Sequence, residues 1–180
     1  MSGFIHWYEN GWSAARADRT VARIESLGLT LSDPETQRAG LLDRLALADS
    51  ASVDVEYWLD EETALYCRFR RVGEDVVAQE FDLDGLSTVE QHQLVAGIVE
   101  LFNEDATNTV GFVVDRSGGS QDVEWDDVVL GHPKIVTVRP DVLALPAELV
   151  DRLHPELNRL TGRPLGGLTL FDRVGAAAPA

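Results

Sequence analysis

The residues Glu80-Phe81-Asp82-Leu83-Asp84-Gly85 place carboxylates at alternate positions ahead of a glycine. With this spacing a calcium loop turns oxygen ligands onto one ion. A loop starting at Glu80, however, puts Gln91 at its twelfth position, a neutral amide where a bidentate glutamate is needed. The residues before Glu80 also read as strand rather than helix. A strand end, an Asp-Gly turn and a helix cap at Ser87 account for the segment. A second stretch, Val113-Val114-Asp115-Arg116-Ser117-Gly118-Gly119-Ser120, has the strand-into-glycine-turn form that can cradle phosphate on free amides. It lacks the lysine of a P-loop and the spacing G-x-G-x-x-G. It leads into Asp122, Glu124, Asp126 and Asp127, which repel a phosphate, so it reads as a plain turn.

The four histidines, His6, His92, His132 and His154, include no pair at i, i+3 or i+4 and no HExxH. Cys67 alternates with Tyr66 and Arg68 among the apolar residues Leu65 and Phe69, the setting of a small core residue. Paired carboxylates can serve as general acid and base or hold a metal. In a chain this acidic, close pairs arise by chance and carry little weight. The sequence therefore implies no metal and no cofactor.

The acids themselves are unevenly spread. Residues 49–127 hold 20 of the 31 acidic side chains against four basic ones, Arg68, Arg70, Arg71 and Arg116; this local balance of −16 equals that of the whole chain. The flanks hold 11 acids and 11 bases and cancel. Like charge gathered in one folded region makes a strong external field. That field excludes nucleic acid and anionic membrane as partners of the region. The 14 arginines against one lysine, with abundant Ala, Leu, Val and Gly, fit a high-GC bacterial source. Halophilic acidity would coat the flanks too, and they are neutral.

A length of 180 residues, 44% of them hydrophobic, suits one domain with a real core. A single cysteine allows no internal disulfide, which favours a reducing compartment. No stretch approaches 18 consecutive apolar residues, and the first ten residues lack the basic flank and apolar run of a signal peptide. A cytoplasmic protein is expected.

The elements that position these groups follow from period. Phe4 to Tyr8 reads as a short strand or a cap on the core. Val21, Ile24 and Leu27 sit at helical spacing with Arg16, Arg19 and Arg23 on another stripe, and Gly28 stops the helix. Asp33-Pro34 starts a second helix with Leu41, Leu42 and Leu45 on its buried side. Val53 to Asp60, Leu65 to Arg70 and Val76 to Leu83 are three strands joined by the polar turns Asp60-Glu61-Glu62 and Gly73-Glu74-Asp75. Ser87-Thr88-Val89-Glu90 is a capping box that opens a helix through Leu94, Ile98, Leu101 and Phe102. Val110 to Val114 reads as a buried strand, Asp122 to Leu130 as a short acidic helix and Ile135 to Val138 as a strand. A last helix runs through Leu149, Val150, Leu153, Leu157 and Leu160 with a break at Pro155, and the tail from Gly175 frays.

The predicted fold is α+β: an antiparallel meander of about four to five strands with helices packed on one face, preceded by two N-terminal helices. Residues 1–50 form the helical N-terminal segment, 51–165 the core with its acidic face and 166–180 the C-terminal segment. The order of elements is similar to that of small secretion-chaperone-like folds, as an analogy of fold alone.

The function expected is a non-catalytic cytoplasmic protein whose anionic face binds a basic protein partner as an inhibitor, an immunity-like or chaperone-like protein, or a regulator. The residues expected to form that face are Asp60, Glu61 and Glu62, then Asp82 and Asp84, then Glu124, Asp126 and Asp127. Trp58 or Trp125 would supply buried aromatic area at the contact. Phe4, Trp7, Tyr8 and Trp12 could cap the core or form a homo-oligomer contact. The alternative is a small carboxylate- or metal-dependent hydrolase, which requires a concave pocket with two or three converging carboxylates and a histidine.

Overall fold

The computed structural model describes residues 2–46, 52–134, 136, 138–150 and 162–172. Among these residues are nine strands and five helices. The strands are β1 (Phe4–Asn10), β2 (Thr30–Leu31), β3 (Ser52–Trp58), β4 (Ala64–Arg71), β5 (Val76–Asp82), β6 (Thr109–Asp115), β7 (Val142–Pro146), β8 (Arg163–Leu165) and β9 (Leu168–Asp172). The helices are α1 (Ala14–Ser26), α2 (Pro34–Ala46), α3 (Thr88–Glu104), α4 (Trp125–Val129) and α5 (Ala147–Val150). All nine strands join one sheet in the order β2-β3-β4-β5-β1-β6-β7-β9-β8, antiparallel at every junction.

This architecture corrects the expected meander of four to five strands preceded by two N-terminal helices. The chain opens with β1, which lies at the centre of the sheet between β5 and β6. Its Ile5 and Trp7 are buried on one face and its Phe4 and Tyr8 on the other. A strand covered on both sides loses the alternation of polar and apolar residues that marks an ordinary antiparallel strand. The same holds for β7, whose residues Val142 to Leu145 are all buried. β6 pairs with β7; of the strand expected over Ile135 to Val138, Ile135 and Thr137 lie outside the described residues. Helices pack on both faces, not one. The last helix is described only over α5; Leu153, His154, Pro155, Leu157, Leu160 and the tail from Gly175 lie outside the described residues.

One face of the sheet is fully clothed. There α1 buries Ala17, Val21 and Ile24, α2 buries Leu41 and Leu45, and α3 buries Leu94, Val95, Ile98 and Phe102. Ser13 caps α1 by accepting from the Arg16 amide, and the Ser87–Glu90 box caps α3 in both directions. Edge-to-face rings at the centre run from Trp7 to Phe102, 5.3 Å between centroids, and on to Phe112 at 4.9 Å. Among the described residues the opposite face is covered by α4 and α5 over β1, β6, β7 and β9 and over Ala78 at the near side of β5. Here α4 lies so close to β6 that a Cβ on Gly111 would come within 2.6 Å of the Val129 side chain. The rest of the outer face of β3, β4 and β5 carries no helix among the described residues. None of the described helices is long and apolar enough to cross a membrane.

Two arginines of α1 turn inward, not outward as their stripe suggests. Glu9 of β1 is completely buried and meets Arg16 at 3.4 Å and Arg23 at 3.5 Å. Thr20 donates to the same carboxylate at 2.5 Å. Arg23 also donates to the Leu101 and Asp105 carbonyls at the end of α3, and its guanidinium lies 4.9 Å from the Trp7 ring centroid. Burial pushes the Glu9 carboxyl up, against the opposing pull of Thr20 and the two arginines. This cluster joins β1, α1 and α3. Glu9→Ala leaves two guanidiniums without their carboxylate and lowers unfolding stability by roughly 3–5 kcal/mol. Chemical denaturation checks it; an unchanged midpoint would show that the cluster does not hold α1 to the sheet.

Candidate functional site

The bare outer face of β3, β4 and β5 is built by alternation. Val53, Val55, Tyr57, Leu65, Cys67 and Phe69 turn to the helical side. Asp54, Glu56, Trp58, Tyr66, Arg68 and Arg70 therefore turn the other way. On β5 the outward residues are Ala78, Glu80 and Asp82, and on β1 they include Phe4, His6 and Tyr8. Cross-strand register sets Asp54 opposite Arg68, Arg68 opposite Glu80, and Glu80 opposite His6. It also sets Glu56 opposite Tyr66.

A pocket of about 700 Å³ opens on this face. Its polar walls are Asp54, Arg68, Glu80, Asp82 and His6, with Tyr66 at the side; Ser2 and Gln121 close it beside Phe4. Arg68 donates from Nε to Asp54 at 2.7 Å, an exposed pair. Arg70 bonds Glu80 through Nε at 2.8 Å and grips Asp126 of α4 with two nitrogens, at 2.7 and 3.2 Å. This fork fixes the border between the bare and covered halves of the face. Tyr8 donates to Asp126 at 3.0 Å and lies 3.2 Å from His6 Nδ1. Burial lowers the His6 pKa more than the nearby Glu80 and Asp126 raise it. Five carboxylates, Asp54, Glu56, Glu80, Asp82 and Asp126, thus share the face with two guanidiniums, a local net charge of −3.

Six of the expected binding residues gather at one end of β3–β5. Asp60, Glu61 and Glu62 form the exposed β3–β4 turn, where the Asp60 carboxylate accepts from the Glu62 and Thr63 amides. Those bonds hold the Asp60 pKa below its ordinary value. Asp82 ends β5 and accepts from Ser2 and from the Asp84 amide; Asp84 follows in an exposed turn. Trp58 ends β3, half-buried. None of these five acids is in an ion pair among the described residues.

The other four lie on or beside α4 and behave differently. Trp125 is 2% exposed and anchors the helix in the core, its indole donating to the Ser120 carbonyl at 3.2 Å. Asp126 is held by Arg70 and Tyr8. Glu124 and Asp127 share Lys134, and Asp127 also meets His132 at 3.0 Å. Sequence reasoning passed over His6, Tyr66 and Glu80 as site residues. A tyrosine at a polar position of an alternating strand was the available signal: Tyr66 is 62% exposed. Its hydroxyl bonds Glu56, which raises its pKa.

Two other candidates have structural roles. In the glycine turn, Asp115 is buried and accepts from the amides of Ser117 and Ser120 and from both serine hydroxyls, while the Gly119 amide bonds Ser117. The amides a phosphate would need are taken by a carboxylate of the chain. The thiol of Cys67 faces the core, and burial raises its pKa well above the ordinary value. Among the described residues no group of three or more His, Cys, Asp or Glu side chains gathers to hold a metal.

Burial alone would raise the Asp115 pKa, but the Ser120 and Ser117 bonds prevail and hold it below 3.8. A carboxyl whose folded pKa is depressed stabilises the fold above its unfolded pKa and loses that contribution as pH falls through the folded value. Asp115→Asn is expected to cost about 1.5–3 kcal/mol at neutral pH. The gap to the parent should shrink as pH drops below about 4. Denaturation curves at several pH values check this; a gap independent of pH would mean that the carboxylate charge does not hold the loop.

The chain matches no family model, no curated protein and no solved structure.

Proposed function

We propose that this is a non-catalytic binding protein of the cytoplasm that captures a basic protein partner on the bare face of β3–β5 and the acidic end beside it. One observation carries the reading. Among the described residues no helix covers the outer face of β3 and β4, and that face presents Tyr66 at 62% exposure among five carboxylates and two guanidiniums. An exposed aromatic inside a field of one sign is the composition of a binding hot spot. The acids Asp60, Glu61, Glu62, Asp82 and Asp84 steer a cationic surface toward it, acting on encounter rate and selectivity more than on final affinity. The same field repels nucleic acid and anionic membrane. Inhibitor, immunity-like, chaperone-like and regulatory proteins all use such a face.

The second reading, a small carboxylate- or metal-dependent hydrolase, draws on the concave pocket with His6, Asp54, Glu80 and Asp82 in its walls. Against it, Asp54 and Glu80 are engaged by arginines. Neither Ser2 nor Cys67 has a histidine as hydrogen-bond partner among the described residues. Turnover of a generic phosphoester that vanishes in His6→Ala would replace binding with catalysis.

The test is binding of a labelled arginine-rich peptide at increasing salt. Affinity should fall at least about tenfold as the Debye length shrinks from roughly 14 Å to 6 Å. Tyr66→Ala should weaken binding by about tenfold, a loss of the size seen at hot spots. Combined Asp60→Asn, Glu61→Gln and Glu62→Gln should mainly slow association. Binding that ignores salt, or survives all four changes intact, would sink the proposal.

A further inference from the structure

The geometry points to the manner of capture: the partner adds a strand to the free edge of β3, through an extended segment alternating basic and apolar residues. This inference rests on the basic-partner reading above and specifies its main-chain geometry.

β2 covers β3 only at its end, pairing Thr30 with Trp58 and Leu31 with Tyr57. From Val53 to Glu56 no strand pairs with β3 on that side among the described residues. The parity of the ladder shows what the edge offers. At the β3–β4 turn the Leu59 amide donates to the Thr63 carbonyl at 2.9 Å. Bonding pairs alternate along an antiparallel ladder, so Tyr57, Val55 and Val53 exchange bonds with β4. The peptide groups of Asp54 and Glu56 consequently point away from the sheet. On that outer side Thr30 Oγ1 donates to the Trp58 carbonyl at 3.3 Å, as the parity requires. Two amides and two carbonyls thus stand ready for another strand.

Natural sheets usually blunt such an edge with proline, lysine or a bulge. Ser52–Trp58 contains neither residue, and its pairing with β4 runs without a register break. The side chains define the occupant. Between α2 and this edge lies a groove of about 370 Å³ lined by Leu31, Leu41 and Val55, with Arg44 on the α2 side and Asp54 and Glu56 on the β3 side. A residue of the added strand opposite Val55 enters that groove on the α2 side, where Leu31, Leu41 and Val55 offer it apolar contact. Residues opposite Asp54 and Glu56 emerge on the bare face. Directly opposed charges of unlike sign stabilise a cross-strand pair, so these residues are basic. Main-chain bonds supply affinity, and the alternate side chains supply selectivity.

The experiment uses the intact chain and short peptides of alternating arginine and valine that differ in N-methylation. An antiparallel strand continuing the direction of β2 donates from the amides of its arginines, those opposite Asp54 and Glu56, while the valine amides face solvent. Methylation of the arginine amides should weaken binding at least about tenfold, and methylation of the valine amides should leave it nearly unchanged. On the protein, Glu56→Pro and Glu56→Ala remove the same charge, but only proline removes an outward amide, and an edge strand tolerates it there. Glu56→Pro should bind several-fold more weakly than Glu56→Ala, with thermal melting verifying that both fold. If Glu56→Pro fails to fold, the methylated peptides decide alone. Salt-sensitive binding indifferent to methylation pattern would overturn strand addition while sparing the basic-partner reading. Absence of salt-sensitive binding by any of the peptides would overturn both.

Discussion

A nine-stranded sheet has two faces to keep from water, and this chain covers them unequally. Three helices clothe one face, whereas among the described residues α4 and α5 reach only the β1–β6–β7–β9 half of the other and the near side of β5. Among the described residues nothing stands between the remaining part, on β3 and β4, and solvent. An apolar surface there would aggregate, so the outward positions of β3, β4 and β5 have to be polar. The acidic block of the sequence falls largely on this half-face, its connecting turns and the adjoining α4. The surface with a function to explain is therefore a product of how the helices are allotted.

Charges near that boundary do two kinds of work. Glu9 with Arg16 and Arg23, and Arg70 with Glu80 and Asp126, tie elements together; in the buried Glu9 cluster removing one partner costs several kcal/mol because the other is left unpaired, whereas the partly exposed Arg70 cluster is screened by solvent and contributes less. The exposed Arg68–Asp54 pair contributes at most about 1 kcal/mol. The acids of the β3–β4 turn and of the β5 end belong to neither kind. They stabilise little in the fold, and their mutual repulsion opposes it, so their field acts outward.

Much of this was legible from residue order, and the exceptions have specific causes. Alternation located β3 and β4, because one side of each is wet or half-wet, and the Gly73-Glu74-Asp75 turn located β5. The serine and glutamate of the α3 cap lie three residues apart as the motif requires, and the structure shows both bonds. Phe4 to Tyr8 was open to reading as a strand or a cap, and its place at the centre of the sheet was hidden because both its sides are dry; β7 escaped for the same reason. Arg16 and Arg23 stood on a stripe apart from the apolar one, and nothing near them in the sequence pointed to Glu9 of β1 as their partner. Of the expected site, the turn acids and Asp82 are together at one end, but Trp125 is spent on anchoring α4. Tyr66, whose exposure matters most, was read only as part of an alternation; nothing local in a sequence tells which sheet face lacks a helix.

Amide hydrogen exchange, mapped with and without an arginine-rich peptide at low salt, tests the central claim most directly. In the free protein the outward amides of Asp54 and Glu56 should exchange fast while those of Val53 and Val55, bonded to β4, are protected. On binding, the account predicts new protection at Asp54 and Glu56 and none along α3 on the clothed face. Protection confined to the helical face, or a bound peptide that leaves β3 and β4 untouched, would contradict it.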